Sequence, residues 1–248
     1  MPPNAPQGFQ TPIIQVAGVC DAQECRMLAA LGVPWLGFPL RLALHCEDVT
    51  EREAAGLIAL LPPFVTPVLI TYENRWREIY HLSRFLGVKA VQLHGDITPE
   101  ELRRLKEAWP SLWIIKSVIV RPGMSGEDCL EKLKPLLPYL QALITDTWDP
   151  KTGACGATGK THDWTVSRWI VERSGKPVIL AGGLNPQNVA LAIRMVRPAG
   201  VDAHTGLEDS SGRKDAEKVK AFLREARAAF AALSNKSALV QPSQSSPR

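Results

Sequence analysis

The residues best suited to chemistry lie where apolar runs break into polar loops. Asp146 ends the run Ala142–Thr147 inside ITDTWD. A carboxylate pointed into a partly enclosed mouth has its pKa raised by desolvation and can serve as a general acid; the alternative is an aspartate that caps loop backbone. Two glycine-bearing ends, LAGGLN (Leu180–Asn185) and HTGLED (His204–Asp209), together suit a phosphate. Glycines let backbone N–H groups approach its oxygens, and a helix N-terminus favours negative charge. Gly182, Gly183, Thr205 and Gly206 are the candidate phosphate contacts, although Gly182-Gly183 would equally make a tight turn ahead of Pro186.

Other candidates are single residues with two readings each. In GFPLRLALHCED, Arg41 has the fork that grips a carboxylate or phosphate, and His45 titrates near neutral pH. Either could instead be a loop or surface residue. Lys116 stands inside the apolar run WIIKSVIV, where a buried ammonium needs an anionic partner, either substrate or a strand-end carboxylate such as Asp146. His94 in VQLHGD could touch substrate or hold a loop carbonyl. The stretch ACGATGKTH (Ala154–His162) is similar to a nucleotide-binding loop, but the required first glycine is Ala154 and no strand runs directly into it. It reads either as an active-site flap carrying Lys160 and Thr161 or as an ordinary surface loop.

Positioning these residues takes a repeating frame. Short apolar runs at 13–18, 35–40, 67–72, 90–95, 112–118, 142–147, 178–183 and 200–206 alternate with amphipathic stretches. Helices are expected at Glu53–Leu61 after Thr50, at Glu100–Ala108 after Thr98-Pro99, and from around Asp21, Arg75, Glu127, Asp163, Pro186 and Ala216. Nearly continuous apolar strands are those of a parallel sheet covered on both sides. Eight such units predict an α/β chain folded as a single (β/α)8 TIM barrel, with its chemistry at the C-terminal strand ends. The sequence VAGVCDA after the first run lacks a dinucleotide fingerprint.

The barrel is expected over residues 12–233, with a Pro/Gln-rich tail at 1–11 and a Ser/Gln/Pro-rich tail at 234–248. Net charge is +4, with basic residues interleaved with acidic ones, which does not point to nucleic acid. The five cysteines, Cys20, Cys25, Cys46, Cys129 and Cys155, are odd in number and contain no CxxC, so neither a disulfide framework nor a zinc knuckle is expected. These features, with no leader-like or membrane-spanning run, predict a cytoplasmic monomer or homodimer without metal or cofactor.

Taken together, VQLHGD, the Asp146 strand with GATGKTHDW, PVILAGGLNPQNV and VRPAGVD with Thr205-Gly206 resemble the phosphoribosylanthranilate isomerase family of tryptophan biosynthesis, over about residues 13–227. The resemblance implies an Amadori rearrangement of a phosphoribosyl amine, with Asp146 as general acid. It also implies a base at the end of the first strand, where the family has Lys-Ile-Cys-Gly and this chain has Gln15-Val16-Ala17-Gly18. An alanine cannot accept a proton, so Cys20 and His45 are the candidate replacements, and Gln15, Arg41, His94 and Lys116 the candidate substrate contacts. His204 replaces the family's usual serine. The departure at Ala17 also admits a phosphosugar enzyme of another reaction, lyase or glycosidic, or a non-catalytic phospho-ligand binder.

Overall fold

The computed structural model describes residues 11–42, 47–147 and 161–239. Eight parallel strands close in sequence order into one barrel: β1 Ile13–Ala17, β2 Trp35–Pro39, β3 Thr66–Thr71, β4 Ala90–Leu93, β5 Trp113–Val120, β6 Ala142–Thr147, β7 Val178–Leu180 and β8 Gly200–Ala203. Between and after them run α1 Ala22–Ala30, α2 Glu51–Ala59, α3 Trp76–Leu86, α4 Pro99–Ala108, α5 Gly126–Glu131, α6 Trp164–Arg173, α7 Val189–Val196 and α8 Ala216–Leu239. Among the described residues no helix is long and apolar enough to cross a membrane.

Local chemistry sets several helix starts. Thr50 accepts from the Glu53 N–H while Glu53 reaches back to the Thr50 N–H, so this capping box opens α2 at Glu51, two positions ahead of the expected Glu53. Thr98 caps α4 with Pro99 in its first turn, and Asp21 and Asp163 cap α1 and α6. The expected start of α7 near Pro186 moves to Val189, because Asn185 and Asn188 bond the intervening backbone in a turn. At the other end α8 continues past residue 233 to Leu239.

Strand alternation divides the core in two. Leu36, Phe38, Leu69, Val91, Ile114, Leu143 and their outward neighbours pack under the helices. Ile13, Ala17, Val68, Ile70, Ala90, Ile115, Ala142, Ile144 and Ile179 fill the barrel interior. Trp35 and Trp113, the first residues of β2 and β5, pack 5.4 Å apart and close its N-terminal end. The opposite end is left to polar side chains.

Candidate active site

Asp146 continues the inward series Ala142, Ile144 on β6 and is buried, with Oδ1 accepting the Thr147 N–H at 2.8 Å. Burial pushes its carboxyl up to about 7, partly offset by that N–H. A second buried carboxyl, Asp202 of β8, stands in register with Gln15 of β1. Burial raises it to about 7 as well; the Asp146 charge adds to the rise, while the Gln15 amide and the Lys214 ammonium oppose it. Two acids that repel each other's charge titrate as a pair and hold one proton over an intermediate pH range.

Behind them runs a chain of side-chain hydrogen bonds. Gln15 Nε2 donates to Gln92 Oε1 at 2.9 Å, and Gln92 Nε2 donates to His94 Nε2 at 2.8 Å. The accepting nitrogen must be bare, so the His94 proton sits on Nδ1. Burial, and then the Lys116 charge, lower the His94 pKa to about 3, so the ring is neutral at physiological pH. Gln15 and His94 therefore reach the same polar network at the C-terminal end of the barrel.

Lys116 is buried, as its place in an apolar strand predicts, and its Nζ lies 3.2 Å from both the carbonyl and the hydroxyl of Ser117. The rise at Asp146 comes from its own burial. Arg41 does grip carboxylates, but they are the chain's own. Its Nε meets Glu51 at 2.7 Å and its Nη1 meets Glu78 at 3.1 Å and Glu73 at 3.3 Å. A substrate carboxylate arriving there would have to compete with three anions already in place.

Cys20 is half-buried after β1, with its backbone N–H on Glu24 Oε1 at 3.2 Å. Burial, followed by Glu24, pushes its thiol up to about 11, which leaves almost no thiolate at neutral pH and weakens it as a base. His45 lies outside the described residues, as do Cys46, Cys155 and the stretch through Lys160. His162, just after that stretch, sits between Thr147 Oγ1 (3.0 Å) and Ser167 Oγ (2.6 Å), tying the residue after Asp146 to α6.

The two glycine loops meet at the end of the barrel. Gly182 and Gly183 both have positive φ, 92° and 63°, and a side chain at Gly182 would strike Thr147 Oγ1. Gly206, in a 3-10 turn over Thr205–Leu207, lies so close to the Leu184 carbonyl that a Cβ would come within 2.0 Å of it. The loops after β7 and β8 are therefore pressed backbone to backbone, with Gly182, Gly183, Thr205 and Gly206 all partly exposed at the junction.

Sequence reading gave Asp202, Gln92 and the group around His204 no role. Asp202 offered a signal of the Lys116 kind, a charge inside an apolar strand, but it precedes the strand end where the search was concentrated. His204 lies over Gly18, its Nε2 3.2 Å from Glu208 Oε1; Glu208 also holds Lys214 at 2.8 Å, and Lys214 donates to the Gly18 carbonyl at 3.2 Å. The His204 and Lys214 pairings with Glu208 are local, but the Lys214 bond to Gly18 spans 196 residues and leaves no local pattern. A separate groove of about 480 Å³ between α1 and α2, bordered by Leu57, Leu60 and Phe64, lies on the helical wall and contains none of these groups.

Comparison with known proteins agrees with this geometry. Residues 49–225 match the family described as N-(5'-phosphoribosyl)anthranilate (PRA) isomerase. The chain is 37% identical to N-(5'-phosphoribosyl)anthranilate isomerase 2 of Methanosarcina mazei over 88% of this chain and 95% of that protein. The phosphoribosyl anthranilate isomerase structure from Thermotoga maritima is 28% identical, with a TM-score of 0.71 over 88% of this chain and all of that one. A further isomerase structure, 25% identical with a TM-score of 0.69 over 88% of this chain and all of its own, holds reduced 1-(o-carboxyphenylamino)-1-deoxyribulose 5-phosphate. With more than two thirds of its length matched and its closed barrel in common with theirs, the chain belongs to the N-(5'-phosphoribosyl)anthranilate isomerase family.

Proposed function

We propose that this protein catalyses the Amadori rearrangement of N-(5'-phosphoribosyl)anthranilate, with Asp146 as general acid and the phosphate held by Gly182, Gly183, Thr205 and Gly206. The observation that carries the reading is the Asp146 carboxyl, buried at the end of β6 and protonated up to about pH 7. An acid for this reaction must keep its proton at working pH until the ribose ring oxygen can take it. Transfer of that proton breaks the C1–O4 bond, and the amine nitrogen lone pair forms the Schiff base. Loss of the C2 proton then gives an enolamine, which becomes the aminoketose. Gln15, His94 and Lys116 supply polar contacts around the sugar, with His94 neutral so that it donates without adding charge.

The test is turnover by the purified full chain with N-(5'-phosphoribosyl)anthranilate, the product identified chromatographically, together with growth of a tryptophan auxotroph lacking the isomerase. Conversion and complementation are expected. A chain that inorganic phosphate protects thermally but that turns nothing over would be the phospho-ligand binder that the absence of a base at Ala17 also allows.

A further inference from the structure

The rearrangement needs a proton acceptor as well as an acid, and the end of β1 presents only the Ala17 methyl, 5% exposed. Among the described residues, the groups that could replace it differ in what already occupies them. The Cys20 thiol holds its proton beside Glu24. The bare nitrogen of His94 is taken by the Gln92 amide. The His204 Nε2 faces Glu208.

Asp202 differs from all three. It lies on β8, the strand paired to β1, opposite Gln15 and so one inward position below Ala17. It is 7% exposed, and its Oδ1 is buried without a hydrogen-bond partner among the described residues. A buried, unsatisfied carboxylate oxygen is costly to fold and rarely kept without a use.

On the reading that the chain is the isomerase, we propose that Asp202 accepts the C2 proton, doing from β8 what Ala17 cannot do from β1. Burial raises both carboxyls to about 7, and the Asp146 charge further opposes ionised Asp202. With the proton on Asp146 that charge is gone, and the Gln15 amide and the Lys214 charge favour ionised Asp202. The first step demands this state, and the cycle starts from it.

The cycle then closes. Asp146 gives its proton to the ring oxygen and becomes a carboxylate. Asp202 takes the C2 proton; the C–H pair forms C1=C2, and the C=N pair returns to nitrogen. The enol O–H proton passes to Asp146 as Asp202 delivers its proton to C1, leaving a ketone at C2 and both carboxyls in their starting states. No oxidant, reductant or further reactant is consumed.

The experiment compares wild type with Asp202→Asn in turnover, in protection by inorganic phosphate, and with substrate deuterated at C2. Asp202→Asn is expected to lower kcat by about 10²- to 10⁴-fold with KM little changed and phosphate protection retained. Its deuterium isotope effect on kcat should rise, because proton abstraction becomes limiting, and Ala17→Cys added to it should recover about tenfold by placing an acceptor at the empty position. A merely structural Asp202 would move neither readout. If Asp202→Asn does not fold, Asp202→Glu carries the test, with a smaller fall in kcat and the same rise in isotope effect.

Near wild-type kcat in Asp202→Asn, an unchanged isotope effect, or loss of turnover in His204→Gln but not in Asp202→Asn overturns the assignment. Wild type without turnover overturns the isomerase reading itself, and this inference with it.

Discussion

Replacing Asp146 by Asn should make the protein inactive and more stable, the gain growing with pH. In the unfolded chain the carboxyl titrates near 3.8, and in the native protein near 7. Below about pH 4 both states hold the proton. From there to pH 7 the unfolded chain releases it while the native protein does not, so stability falls as pH rises. Above 7 the whole penalty stands, about 3 pKa units at 1.36 kcal/mol each, or about 4 kcal/mol. The Asn side chain cannot ionise and still offers an Oδ1 to the Thr147 N–H.

Unfolding in urea at pH 5 and at pH 8 checks this. The advantage of Asp146→Asn over wild type is expected to be larger by about 2–3 kcal/mol at pH 8 than at pH 5. Removing the Asp146 charge also relieves Asp202, which adds to the gain. Turnover should fall by about 10²- to 10⁴-fold with phosphate protection intact. An advantage that does not change with pH, or a variant less stable than wild type at pH 8, would refute the claim that the native protein holds Asp146 as a buried acid.

Two further substitutions test the frame of the site. Gly206→Ala puts a Cβ 2.0 Å from the Leu184 carbonyl, which as backbone cannot move alone. It should cost about 1–3 kcal/mol and abolish the rise in Tm with inorganic phosphate, whereas a retained rise would place the phosphate elsewhere. Lys214→Met removes a 1% exposed ammonium and leaves Glu208, 16% exposed, without its closest cation. A loss of about 3 kcal/mol in urea is expected, partly recovered by adding Glu208→Gln; no recovery would mean that the Lys214 bond to the Gly18 carbonyl, not the ion pair, carries the stability.

Much of the frame was legible because its causes are local. The period of apolar residues is a property of neighbouring side chains, and it placed eight strands to within two or three residues at their ends. Thr50, Thr98, Asp21 and Asp163 act on N–H groups two or three positions ahead, so helix starts could be read directly. Positive φ at Gly182 and Gly183 ended β7 sooner than its apolar run suggested, since turn geometry and hydrophobicity overlap there.

Arg41 and Lys116 show where such reading stops. Their residue types indicated that each would seek a partner, but Glu51, Glu73, Glu78 and the Ser117 oxygens became those partners only when helices and strands docked. By itself the sequence determined an eight-unit barrel, glycines in the loops after its last two strands, a carboxyl at the end of the sixth and no base at Ala17. Only the tertiary structure decided that Asp202 and Asp146, 56 residues apart in number, feel each other's charge inside the barrel mouth. Desolvation and Coulomb coupling depend on what surrounds a group in space, and barrel closure brings β8 beside β1 without any trace in local sequence.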